Sequence, residues 1–116
     1  MGKAENELTK EILDYLNTRY KRYCVEDKKP FWRNNNIAVR GRTFIGQKGV
    51  GDITGILPPK GIRVEIEVKD KGKVPSIEQE DIREMIQNAG GIWLWCDTFE
   101  MFKEKWEIKE AIYCEV

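Results

Sequence analysis

Residues 49–69, Gly-Val-Gly-Asp-Ile-Thr-Gly-Ile-Leu-Pro-Pro-Lys-Gly-Ile-Arg-Val-Glu-Ile-Glu-Val-Lys, constrain the fold more than any other stretch of this 116-residue chain. Two runs of alternating apolar residues flank Pro-Pro-Lys-Gly, which predicts a β-hairpin. With the loop at Pro58–Gly61, Leu57 faces Ile62, Ile53 faces Ile66 and Gly55 faces Val64, giving one apolar face. On the other face Asp52 stands opposite Glu67, Thr54 opposite Glu65, and Lys69 follows Glu67 because strand side chains alternate with period two. Directly opposed side chains are only about 5 Å apart. Two carboxylates that close repel unless a cation lies between them.

The rest of the chain supplies a single domain, residues 1–116, around that hairpin. Leu8, Ile12, Tyr15, Leu16 and Tyr20 recur at helical spacing and predict an amphipathic helix over 4–23. Val25–Pro30 reads as a loop, Phe31–Arg33 as a strand, Asn34–Asn36 as a turn and Ile37–Arg40 as a second short strand. Gly41–Gly51 is a glycine-rich loop carrying Arg42 and Lys48, with Arg40 just before it. After Lys69 comes a basic connector with Lys71 and Lys73. Ser76 and Gln79 form a capping-box pattern that opens a helix over 77–88, and Gly90-Gly91 closes it. Ile92–Cys96 is apolar throughout, as a buried strand is. Asp97 and Thr98 introduce a last helix through Phe99, Phe102 and Trp106. Residues 108–116 fit either a helix end or an edge strand. The order predicts an α/β fold, a mixed β-sheet flanked by helices, with strand 63–69, helix 77–88 and strand 92–96 as a crossover unit. Phe31, Trp32, Trp93, Trp95 and Trp106 read mostly as core. Trp93 and Trp95 point away from the face that holds Leu94, which implies a second buried face or a subunit interface.

Composition narrows the chemistry. There is no His, and the three cysteines, Cys24, Cys96 and Cys114, lack metal-ligand spacing, which argues against zinc and against Cys–His or Ser–His catalysis. Any metal is then a hard cation on oxygen ligands. No apolar run approaches the roughly 20 residues that span a bilayer, and the charged N-terminus lacks the apolar core of a secretion signal. The expectation is a reduced, cytoplasmic protein without a membrane partner. Net charge is zero, but residues 1–48 hold 11 Lys+Arg against 6 Asp+Glu, net +5, and the remainder is net −5. The basic part suits a polyanion.

An Asp followed about 15 residues later by Glu-x-Lys on the neighbouring strand is the arrangement that metal-assisted phosphodiester hydrolysis requires. Asp52 and Glu67 offer anionic oxygens to one or two Mg²⁺ or Mn²⁺ ions, and the Val68 carbonyl is a further donor. Lys69 is placed to orient or deprotonate a water or to stabilise charge on phosphorus. Arg40, Arg42 and Lys48, with Lys71 and Lys73, are the candidate phosphate contacts. Glu65, two residues from Glu67, reads as a supporting or surface group.

Gly49-Val-Gly-Asp52-Ile-Thr-Gly-Ile-Leu-Pro, Glu65-Ile-Glu-Val-Lys69, Ser76-Ile-Glu-Gln79 and Asn88-Ala-Gly-Gly-Ile92 together resemble the VRR-NUC domain of the PD-(D/E)XK nuclease superfamily. The resemblance covers essentially the whole chain and is closest to stand-alone members of virus or phage type. It implies a restriction-endonuclease-like core of order α-β-β-β-α-β, dependence on Mg²⁺ or Mn²⁺, cleavage of DNA including branched forms such as Holliday junctions, and a homodimer. It gives Asp52, Glu67 and Lys69 the motif roles and puts Gln79 near the site. It also implies an acid on the first helix, best matched by Glu5, with Glu7 or Glu11 as alternatives. One departure is that Gly51 stands where the motif has proline. The alternative reading is a catalytically silent DNA-junction-binding module of the same fold. A third is an interaction protein with no nucleic-acid role, which salt-dependent DNA binding would exclude.

Overall fold

The computed structural model describes residues 2–34 and 51–113. The predicted strand Ile37–Arg40 and most of the glycine-rich loop lie outside them. The hairpin forms in the predicted register. β2 (Ile53–Leu57) runs antiparallel to β3 (Ile62–Val68), with Ile53 opposite Ile66, Thr54 opposite Glu65, Gly55 opposite Val64 and Leu57 opposite Ile62. β1 (Phe31–Arg33) adds to the outer edge of β2, and β4 (Ile92–Cys96) lies parallel to β3, giving a mixed sheet of order β1-β2-β3-β4. A parallel pair needs a long crossover, and α2 (Ile77–Asn88) provides it, as the sequence order predicted.

Helices cover both faces. α1 (Lys3–Arg19) and α3 (Phe99–Tyr113) pack on the side that holds Ile53, Leu57, Val64, Ile66 and Leu94. Burial of Leu8, Ile12, Leu16, Phe102 and Trp106 against these strands supplies the main core. α2 covers the other side, where Ile82 and Ile86 bury Trp93, and Trp95 packs against that group. The second buried face implied by the two tryptophans is therefore made within the chain, and their hint of a subunit interface falls away.

Two further expectations are corrected and one left open is resolved. The first helix stops at Arg19 rather than continuing to 23, and Lys21–Tyr23 forms a 3₁₀ turn. The cause is Tyr20, whose ring turns inward against Phe31 and Trp106 and whose hydroxyl donates to Glu110 on α3. Arg19 and the Trp106 indole N–H also donate to Glu110, so this carboxylate ties α1 to α3. Residues 108–113, ambiguous in sequence, continue α3, which Thr98 caps by accepting the Met101 N–H at 3.1 Å. Trp32 is no core residue: it is 43% exposed, on the edge strand.

Gly55 lets the edge strand close on the core. A Cβ there would stand 2.1 Å from the ring of Phe31, which pairs with it across the strands and is buried beneath α1 and α3. Gly55→Ala is expected to lower stability by roughly 1–3 kcal/mol through overpacking, read as a fall in the denaturant midpoint at unchanged slope.

Candidate functional site

The hairpin register brings Asp52, immediately before β2, to the end of β3 where Glu67 and Lys69 emerge. The backbone around Asp52 is fixed from several directions. Asn34 donates its backbone N–H to the Asp52 carbonyl (2.8 Å) and its side-chain amide to the Gly51 carbonyl (3.1 Å). The Gly51 N–H donates to Glu65 (3.1 Å). A Cβ on Gly51 would meet the Ile66 carbonyl oxygen at 2.7 Å. A proline here would bring a Cβ against that oxygen and lack the N–H that Glu65 accepts.

Asp52 Oδ2 accepts the Val68 N–H at 2.8 Å, so the carboxylate is held against the β3 backbone. The group of Val68 engaged here is its N–H, not the carbonyl read from the sequence as a metal donor. Glu67 is buried and hydrogen-bonded to Asp52, and Lys69 Nζ lies 3.7 Å from Glu67 Oε1. Gln79 takes both of the roles the sequence allows. Its Oε1 accepts the Ser76 N–H at 2.8 Å, closing the capping box at the start of α2. Its side chain also lies close enough to Glu67 to oppose the rise in that carboxyl's pKa.

Of the three first-helix acids considered, Glu5 is the one that faces the Asp52–Glu67 pair. It shares the inward face of α1 with Leu8, Thr9 and Ile12, and its negative charge is felt at Asp52. Glu7 and Glu11 are exposed on the other side of the helix. Glu5 also accepts the Gly2 N–H at 3.0 Å, and Asp70 approaches the same glycine. Among the described residues no three His, Cys, Asp or Glu side chains form a preformed metal cluster. Asp52 and Glu67 are a pair, with Glu5 beside them and engaged with the helix start. Lys71 and Lys73 are exposed on the connector that leaves the site after Lys69, whose Gly72 N–H is anchored on Asp97 (3.2 Å). Arg40, Arg42 and Lys48 lie outside the described residues.

Of the two readings of Glu65, the supporting one holds. It is only 1% exposed, and it accepts from the Gly51 N–H, from the Thr54 hydroxyl (2.9 Å) and from Arg63 Nε (3.0 Å). It is a buttress beneath the Asp52 turn, not a surface group. Asn34 and Thr54 were not singled out from the sequence. Thr54 facing Glu65 in the hairpin register was the available signal.

Burial raises the pKa of Asp52, and the charge of Glu5 adds to this, against the Val68 N–H, the hydrogen bond from Glu67 and the charge of Lys69. Glu67 is pushed up to about 8, first by burial and then by the charge of Asp52, with Lys69 and Gln79 opposing. Both shifts run upward, so the pair as a whole favours retaining a proton. Two carboxylates sharing one proton form a site short of positive charge. The neighbouring Cys96 thiol, fully buried, is pushed up to about 12 by burial and is inert. No family model, no curated protein sequence and no solved structure matches the chain.

With its folded pKa above the unfolded value, Glu67 stabilises the metal-free fold fully at low pH. That contribution is lost as pH rises from 4.5 through about 8. Glu67→Gln keeps a donor to Asp52 and removes the titration. In chelator, the melting temperature of the variant minus that of the parent is expected to increase steadily between about pH 5 and about pH 9.

Proposed function

We propose that the protein is a metal-dependent deoxyribonuclease, selective for branched DNA such as four-way junctions, of the VRR-NUC type that its motifs resemble. The observation that carries this is the buried Asp52–Glu67 pair with Lys69 beside it at one end of the sheet. The donor set is all oxygen and anionic, which suits Mg²⁺ or Mn²⁺ and not a softer metal. The shared proton marks a place where positive charge is wanted. Asp52 and Glu67 are the residues that would hold the ion, with Glu5 and the Val68 carbonyl as additional oxygen donors. When bound, the ion supplies a water of lowered pKa and offsets charge on the scissile phosphate.

The chain's own residues do the rest. The Val68 N–H and Gln79 keep the two carboxylates aimed at a common point. Lys69, whose side chain is 19% exposed, orients the attacking water and faces the charge that develops on the phosphorus oxygens. The first turns of α1 and α2 bring Glu5 and Gln79 to the site, and the partial positive charge at helix N-termini favours an anionic substrate there. Exposed Lys71 and Lys73 on the adjoining connector supply phosphate contacts. A second copy belongs to this reading, because symmetric cutting of a junction needs two sites related by a twofold axis. The cytoplasm is its compartment. No described helix is long and apolar enough to cross a membrane.

Purified protein with Mg²⁺ or Mn²⁺ is expected to cut a mobile four-way junction. Asp52→Asn and Lys69→Ala should each reduce the rate by about a hundredfold or more while leaving the fold and junction binding in place. Chelator should stop cutting, and readdition of Mg²⁺ should restore it. Junction binding without metal-dependent turnover would leave the silent binding module in its place. Sedimentation of the free protein tests the dimer.

A further inference from the structure

The open side of the edge strand carries features that the catalytic pair does not use. The outer flank of α1, the 21–30 loop and β1 border a long groove. Lys10, Lys21, Lys28 and Lys29 line it together with Trp32. From Lys10 to the end of α1 at Arg19 the helix runs about 13 Å, and Lys21 follows in the 3₁₀ turn. Tyr23, Val25 and Ile56 line a neighbouring depression, with Lys28 and Lys29 between the two. Asp14, Glu26 and Asp27 also border the groove, and Asp27 pairs with Lys28 at 3.5 Å. Residues 17–33 nevertheless carry six Lys+Arg against two Asp+Glu. Of the six, Arg19 is engaged by Glu110 and Arg33 by Asn6.

Exposed aromatic rings are interleaved with these cations. Trp32 is 43% exposed and Tyr23 38%, and the Arg22 guanidinium sits 4.9 Å from the Tyr23 ring centre. Trp32 pairs with Thr54, so strand alternation puts it on the same sheet face as Glu67. Thr54 is two residues from Asp52, about 7 Å along the strand. The ring is therefore next to the catalytic end. A large aromatic left exposed on an edge strand is an aggregation liability unless something covers it. Cations along a groove with open aromatic faces are the combination that binds single-stranded nucleic acid, where phosphates meet the charges and unpaired bases stack on the rings. A duplex has no free base faces to offer.

We propose that this surface binds a single-stranded DNA segment next to the scissile phosphate, with Trp32 as the stacking platform and Arg22, Lys28 and Lys29 as phosphate contacts. This deepens the nuclease reading and rests on it for DNA as the polyanion.

The test is fluorescence anisotropy in chelator, so that no cleavage enters. The probes are labelled oligo-dT of roughly 15 nucleotides, near the upper end of single-strand site sizes, and a blunt duplex of equal length. The parent is expected to prefer the single strand. Trp32→Ala should weaken that binding about tenfold, with Trp32→Phe retaining most of it. Arg22→Ala combined with Lys29→Ala should reduce the slope of log affinity against log salt by about 1.4. Lys103→Ala, on α3, should leave the slope unchanged. The proposal is overturned if Trp32→Ala, melting as the parent does, binds oligo-dT with parental affinity. It is equally overturned if the duplex is preferred and the Arg22/Lys29 variant keeps the parental slope. Loss of oligo-dT binding in these variants, in a protein that cuts no DNA with Mg²⁺ or Mn²⁺, would sink the nuclease reading and leave this surface standing.

Discussion

The register between β2 and β3 is the constraint on which both core and site depend. A slip of one residue would turn Ile53 and Leu57 outward and Thr54 inward, because successive side chains alternate between faces. It would also carry Asp52 away from Glu67. Several features act against that slip. Leu57 and Ile62 close directly on the turn, Gly55 accepts the Phe31 ring, and Gly51 lies against the Ile66 backbone with no room for a Cβ. The interactions that seat the hairpin in the core are thus the same ones that bring the acids together. Stability and site geometry are not separable at these positions.

Burial of the polar face follows from the two-sided packing. α1 and α3 take the apolar face, and α2 takes much of the other, so Glu65 and Glu67 are both removed from water. Their fates differ because their partners differ. Glu65 has donors from Gly51, Thr54 and Arg63. A carboxylate so supplied has little lone-pair capacity left for another ligand. Glu67 faces an acid, an amide and a lysine at 3.7 Å. It has spare acceptor capacity and too little positive charge around it. Two glutamates spaced two apart on one strand are thereby divided into one with its acceptor sites filled and one with acceptor capacity to spare.

Much of this was legible in the sequence. Alternation and the Pro-Pro-Lys-Gly turn were enough to fix the hairpin register, since a four-residue loop and one apolar face leave a single consistent pairing. Ser76 and Gln79 located the start of α2, and the length of Ile92–Cys96 marked a buried strand. What escaped depends on tertiary packing. Nothing local says that α1 ends at Tyr20, because the hydroxyl partner, Glu110, is 90 residues away. Nothing local says which side of α1 meets the hairpin, so Glu5 was inseparable from Glu7 and Glu11. A Glu at an alternating position is solvent-facing or supporting according to the helix above it, which is why the sequence left both readings of Glu65 open. Trp32 was misread. Its hydrophobicity suggested core, but an edge strand beyond the reach of α2 leaves its outer face open.

The charge balance at the end of β3 links the metal-free state to the proposed activity. Asp52, Glu67 and Glu5 contribute negative charge there, against Lys69. A proton held on the pair partly relieves the deficit. Under the nuclease reading, a divalent cation would compete with that proton for the same oxygens, and its affinity would rise with pH until the proton is gone. Lys69 cannot replace it. At 3.7 Å from Glu67 it lowers the repulsion without bridging both acids, and a single ammonium has one charge where the pair has two. The Gln79 amide and the Val68 N–H remain in place whichever ion is present, since both are held by α2 and β3 rather than by the acids. The protein therefore holds the two carboxyl groups converged in the folded chain, and the cost of burying them side by side is met during folding.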